Sequence, residues 1–107
     1  MEPLDWAVLK EQCAGDEDLV REVVALYRRD QATLLGDVQR ALEAGDLLAG
    51  KRSAHRLKGA LLSLAATPAA DLALKVEQAA EAGDAARARE ALLRLEAELA
   101  RLAAALA

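Results

Sequence analysis

The sequence predicts an all-α fold, an antiparallel up-down-up-down four-helix bundle with a short N-terminal capping helix. Three observations predict it. Alanine fills 27 of the 107 positions and, with leucine, glutamate and arginine, supplies strong helix formers, while β-branched residues are sparse. Aromatics are limited to Trp6 and Tyr27, so the helices must meet through small side chains. Gly-Asp pairs at 45–46 and 83–84 end one apolar-periodic segment and cap the next.

A first short helix is expected over 4–13, with Pro3 in its first turn and Gly15 near its end. Asp16 can cap a long second helix over 17–43, whose acidic first turn holds Glu17 and Asp18. Its apolar positions run Val20, Val24, Tyr27, Leu34, Val38 and Leu42, with Gln31 at the one missing step. A third helix covers 47–64. Thr67 as cap and Pro68 at the first helical position start a fourth over 68–82, with Leu72, Val76 and Ala79 on its stripe. The fifth, 85–106, carries Ala88, Leu92, Leu95, Leu99, Leu102 and Leu106 at 4-3-4-3-4 spacing. Short connections make neighbouring helices antiparallel, and residues 1–107 form one domain.

Composition also narrows function. A net charge of −4 gives no general affinity for nucleic acid. The single cysteine, Cys13, excludes an internal disulfide and a thiolate metal cluster and reads as a small buried residue. The acidic start, Met1-Glu2-Pro3-Leu4-Asp5, is not a signal sequence, and no apolar run approaches the roughly 20 residues of a membrane span. A cytoplasmic protein without membrane contact is expected. Charge is nevertheless uneven. Residues 47–70 contain no Asp or Glu, while Lys51, Arg52, Arg56 and Lys58 give that window +4 and leave −8 elsewhere. A basic run of this kind can be no more than a solvated face.

His55 is the only histidine, and it lies in that window. At about 100° per residue, the core stripe of the third helix is Gly50, Ala54, Leu57, Leu61 and Leu64, on the side opposite His55. Leu48 and Leu62 fall within about 20° of His55, two turns to either side, where a solvated face would carry polar residues. Leu48 could also pack on a nearby loop. Gly59 lies one turn on, and a mid-helix glycine costs about 1 kcal/mol relative to alanine. Lys51, Arg52 and Lys58 surround this line and Ser63 borders it.

Unprotonated imidazole is nucleophilic near neutral pH, because histidine has a reference pKa of about 6.5. A phosphoryl group on it could pair with Lys58 at i+3, and Lys58 also works against a second positive charge on the ring. The pattern shows no accompanying carboxylate, second histidine or Gly-rich phosphate loop. The chain can carry a phosphoryl group but lacks the metal ligands and nucleotide cradle needed to move one unaided.

The run Ala54-His55-Arg56-Leu57-Lys58-Gly59 resembles the Ala-His-x-Leu-Lys-Gly signature of histidine-containing phosphotransfer domains of bacterial and eukaryotic phosphorelays. Gly45-Asp46 nine residues before the histidine, Leu64-Ala65-Ala66 after the helix, Val76-Glu77 and Gly83-Asp84 extend the resemblance over nearly the whole chain. It implies a phosphocarrier, not an enzyme, with His55 as phosphoacceptor, Lys58 steadying the phosphoryl group and Gly59 clearing room for a docking receiver domain. The remaining docking surface would be Leu62, Leu48, Lys51, Arg52 and Ser63. Receiver domains of response regulators or hybrid kinases are the implied partners, and no cofactor, resident metal or small-molecule substrate is expected. Two positions depart from the family pattern. Ala65 stands where glycine is usual, implying a tighter or more helical turn. Gly50 replaces a larger apolar residue, implying loose packing early in the third helix. Two other readings are a phosphorylation-independent adaptor using the same face and a structural or oligomerising bundle built on the leucine seam of the fifth helix.

Overall fold

The structure is a computed structural model that describes residues 1–107. It contains five helices and no strand: α1 (Trp6–Gln12), α2 (Glu17–Glu43), α3 (Leu47–Ser63), α4 (Thr67–Glu81) and α5 (Ala85–Leu106). The four long helices form a bundle 41 Å in its longest dimension. Consecutive helices pack against one another, and α2 closes the ring against α5.

The turns explain the antiparallel order. Gly45 (φ 74°) and Gly83 (φ 73°) take the left-handed conformation that ends a helix. In each turn the next residue's N–H reaches back five residues, Asp46 to the Ala41 carbonyl and Asp84 to the Ala79 carbonyl, both at 2.9 Å. Asp46 and Asp84 then accept from the first-turn amides of Ala49 and Arg87 at 3.0 Å. The turn between α3 and α4 has the same geometry without the glycine. Ala65 has φ 56°, and the Ala66 N–H bonds the Leu61 carbonyl at 2.9 Å. The alanine therefore neither tightens the turn nor prolongs the helix. It takes the left-handed strain instead.

Two helix starts and one buried stripe differ from the sequence-based expectation. Asp5, not Pro3, starts α1: its side chain accepts from the Val8 N–H at 3.1 Å, and Pro3 lies buried before the helix. Ala66, not Thr67, is the N-cap of α4, with no side-chain cap bond, because the residue after the left-handed Ala65 already fills the cap position. The buried stripe of α4 is Ala69, Ala70, Ala73, Val76 and Ala80, while Leu72 and Ala79 are only partly buried. Large side chains come from the opposing helices, among them Leu57, Leu61, Leu95, Leu99 and Leu102, so the inner face of α4 is built from alanines that allow close approach.

Elsewhere the helical period is obeyed. Gly50, Ala54, Leu57, Leu61 and Leu64 are all buried. Gly50 is the site of a close crossing and not of slack: a Cβ there would meet Leu42 Cδ2 at 2.8 Å. In α2, Tyr27, Val38 and Leu42 are buried, with Val20, Val24 and Leu34 packed against the core. The α2–α5 seam is joined by polar bonds. Arg28 Nη1 donates to the Leu106 carbonyl (3.3 Å), Gln39 Nε2 to Glu96 (2.6 Å) and Arg89 Nη2 to the Leu42 carbonyl (3.3 Å).

The N-terminal segment covers the end of the bundle where α3 turns into α4. Leu4, Leu9 and Cys13 belong to the core cluster. The Asp5 N–H donates to the Ala65 carbonyl at 3.0 Å, and Gln12 Nε2 reaches the Ser63 and Leu62 carbonyls at 3.2 and 3.5 Å. The Ser63 carbonyl has no backbone donor and the Leu62 carbonyl otherwise has only the Ala65 N–H, so α1 serves as a cap for the helix that carries His55.

Candidate functional site

His55 stands on the outer face of α3 with its side chain 67% exposed, opposite the buried stripe of the same helix. Leu48 and Leu62, at 57% and 49% exposure, flank it along the helix. Leu48 does not pack into a loop. Gly59 leaves open space, with no atom within 4 Å of where its Cβ would stand. Ser63 lies beside this line, but its hydroxyl is engaged, donating to the Gly59 carbonyl at 3.1 Å. The surface therefore offers an imidazole, two half-exposed leucines and a bare stretch of backbone.

A carboxylate accompanies them, contrary to the sequence-based expectation. Glu77, projecting from α4, places Oε2 3.1 Å from His55 Nδ1 and Oε1 2.9 Å from Lys58 Nζ. Partial burial on its own would raise the Glu77 pKa, but the hydrogen bonds and positive charge from Lys58 and His55 outweigh it and hold it below the usual carboxylate value. An ionised carboxylate can only accept, so Nδ1 carries the proton and the Nε2 lone pair is left for chemistry. Lys58 is consequently not an uncompensated charge beside the ring, because Glu77 sits between the two.

The cations of the window are largely neutralised in the same way. Lys51 pairs with Glu81 of α4 at 2.6 Å, and Arg56 approaches Asp37 of α2 at 3.8 Å. Arg52 has no carboxylate within 4.0 Å. The face is thus less cationic than its sequence implied. The missed residues had a signal in the chain: Glu77 and Glu81 form an i, i+4 acidic pair on the helix after an acid-free basic one. No three His, Cys, Asp or Glu side chains converge to hold a metal ion.

The arrangement suits a nucleophile that must become positively charged. When Nε2 of an Nδ1-protonated imidazole attacks an electrophile, both nitrogens are substituted and the ring acquires a positive charge. A carboxylate hydrogen-bonded to Nδ1 stabilises that charge as it develops.

Residues 22–105 match the family model of the Hpt domain. The chain belongs to the Hpt domain family. No curated relative and no solved structure matches it. Hpt domains act in phosphotransfer of two-component signalling as phosphocarriers, not catalysts, and they interact with receiver domains. The five-helix, strand-free architecture is that of an Hpt four-helix bundle with a short N-terminal helix added. No helix of this Hpt domain is long and apolar enough to cross a membrane.

Proposed function

We propose that this Hpt domain is a relay intermediate that takes a phosphoryl group from one receiver aspartate onto His55 Nε2 and delivers it to another. The P–O bond to the donor aspartate breaks as the Nε2–P bond forms, and the aspartate leaves as a carboxylate. The Nδ1 proton stays on the ring, hydrogen-bonded to Glu77, and the ring becomes an imidazolium. Onward transfer reverses these events, and a positively charged ring is the better leaving group. The observation that carries this reading is the Glu77–His55 bond, which fixes the tautomer and leaves Nε2 on an exposed face.

Other residues take supporting roles. Lys58, held by Glu77 beside the ring, adds positive charge near the phosphoryl group. Gly59 admits the receiver to close range. Leu62 and Leu48 supply apolar contact area, while Lys51, Arg52 and Ser63 edge the docking surface. A receiver's acidic, Mg²⁺-binding pocket would complete the site and favour a face that retains some positive charge. Receiver partners of this kind place the protein in the cytoplasm.

Incubation with a phosphorylated receiver tests the proposal. Acid-labile label should appear on the wild type and be absent from His55→Gln. Label retained by that variant, or no label with any cognate receiver, would overturn the carrier role. Receiver binding that persists without label would favour an adaptor.

A further inference from the structure

We propose that Arg52 is the side chain that meets the phosphoryl group on His55, from the side of the ring opposite Glu77 and Lys58; this rests on the carrier role proposed above. Taking His55 as zero, Lys51 and Lys58 fall at about −40° and −60°, whereas Gly59, Arg52 and Arg56 fall at about +40°, +60° and +100°. The ion pairs fix what each side faces. Lys51 and Lys58 meet Glu81 and Glu77 of α4, and Arg56 meets Asp37 of α2. His55 turns Nδ1 toward α4. Nε2 lies across the five-membered ring from Nδ1 and so looks away from α4, toward the Arg52 side.

Two further observations agree. A shallow depression beside the imidazole is lined by Lys51, Arg52, His55, Arg56 and Glu77, and Lys58 takes no part in it. This follows from helix stereochemistry, because side chains lean toward the helix N-terminus and the His55 ring therefore overlies the turn of residues 51 and 52. Of the cations in and around the depression, Lys51, Arg56 and Lys58 each have a carboxylate within 4.0 Å and Arg52 has none. Its guanidinium is free to present a planar fork of donors to phosphoryl oxygens, a geometry an ammonium group cannot reproduce.

In the docked complex a receiver supplies its own metal and donors. Between partners the phosphohistidine has only this chain, and Arg52 is the one cation it can recruit without breaking an existing ion pair. Arg52 is then a stabiliser of the loaded carrier, in addition to its place at the edge of the docking surface.

The test uses the full chain and phosphoramidate, a small donor that needs no receiver. The donor's P–N bond breaks as the Nε2–P bond forms, and the amine leaves as ammonia after taking a proton from water. Phosphorus NMR then follows the ionisation of the phosphoryl group and its loss with time. Arg52→Gln should raise the midpoint of that ionisation and hasten loss of label roughly two- to fivefold, the range for an exposed ion pair. Arg52→Lys should restore part of the effect, and the difference from wild type should shrink with added salt. Lys58→Gln should move the phosphorus titration less than Arg52→Gln. An unchanged titration in Arg52→Gln overturns the inference and leaves the carrier role standing, including when transfer from a receiver is slowed. A larger shift in Lys58→Gln also overturns it. Wild-type protein that takes label from neither phosphoramidate nor a receiver would refute the carrier role itself.

Discussion

Glu77 of α4 reaches across to α3 and holds a carboxylate oxygen 3.1 Å from Nδ1 of His55. The bond joins two helices at His55 and selects the tautomer in which Nε2 is free. Its second oxygen holds Lys58.

Removing that carboxylate should impair loading without unfolding the bundle. Glu77→Ala leaves Nδ1 unpartnered, lets the ring spend time with Nε2 protonated, and withdraws the charge that stabilises the imidazolium. A hydrogen bond to a charged group is worth about 1.5 kcal/mol, so labelling of His55 by phosphoramidate should slow about tenfold. Glu77→Gln keeps an acceptor and should fall between. Nitrogen NMR of the imidazole should show the tautomer ratio moving with the rates.

Glu77 also sets a pH dependence. Its folded pKa is held below its ordinary 4.5, so its contribution to stability is present above pH 4.5 and is lost as pH falls through the lower folded value. The urea-denaturation difference between wild type and Glu77→Gln should be full near pH 6 and should shrink progressively below pH 4.5.

Tyr27 acts at the other end of the scale. Burial pushes its phenol from 10.0 up to about 12, and its hydroxyl has no hydrogen-bond partner. A raised folded pKa on an acid means stability fully present below pH 10 and lost as pH rises toward 12. Tyr27→Phe should flatten that alkaline decline. At pH 7 it should equal or exceed the wild type, by up to about 1 kcal/mol in urea denaturation, since it removes a buried unpaired hydroxyl.

Gly59→Ala should separate stability from transfer. Nothing crowds a Cβ at that position, and alanine in a helix interior is favoured over glycine by about 1 kcal/mol. The variant should melt higher and accept label from phosphoramidate at the wild-type rate. Its exchange with a receiver should be slower, because the added methyl stands where the partner approaches.

The two left-handed alanines should respond differently to glycine. Ala14 (φ 54°) is exposed, so Ala14→Gly should stabilise the fold by about 1 kcal/mol through relief of backbone strain alone. Ala65 (φ 56°) is 5% exposed, and losing its methyl forfeits about 0.8 kcal/mol of burial. Ala65→Gly should therefore be close to neutral. Paired thermal melts check the ordering.

Much of this was legible in the chain because a single helix obeys one period. The five-residue core stripe of α3 fixed the direction of His55, and the exposure of Leu48 and Leu62 followed from the same arithmetic. Glu77 was not legible as a partner. It lies 22 residues from His55 on a different helix, and its arrival depends on the rotation and height of α4 against α3. The α4 stripe keeps Val76 but differs at Leu72 and Ala79 for a related reason: the interior requires alanines opposite the leucines of α3 and α5. Thr67 looked like a cap only until the left-handed Ala65 moved that role to Ala66.

The matched family region, residues 22–105, begins five residues inside α2. A fragment cut at those limits would keep His55, Glu77 and Lys58 and lose Asp16, Leu4, Leu9, Cys13 and the Gln12 side chain that closes the end of α3. The stretch that matches the family is thus shorter than the stretch that packs the core. The first twenty-one residues contribute nothing to the cluster of His55, Lys58 and Glu77, yet they belong to it as a lid belongs to a sealed vessel.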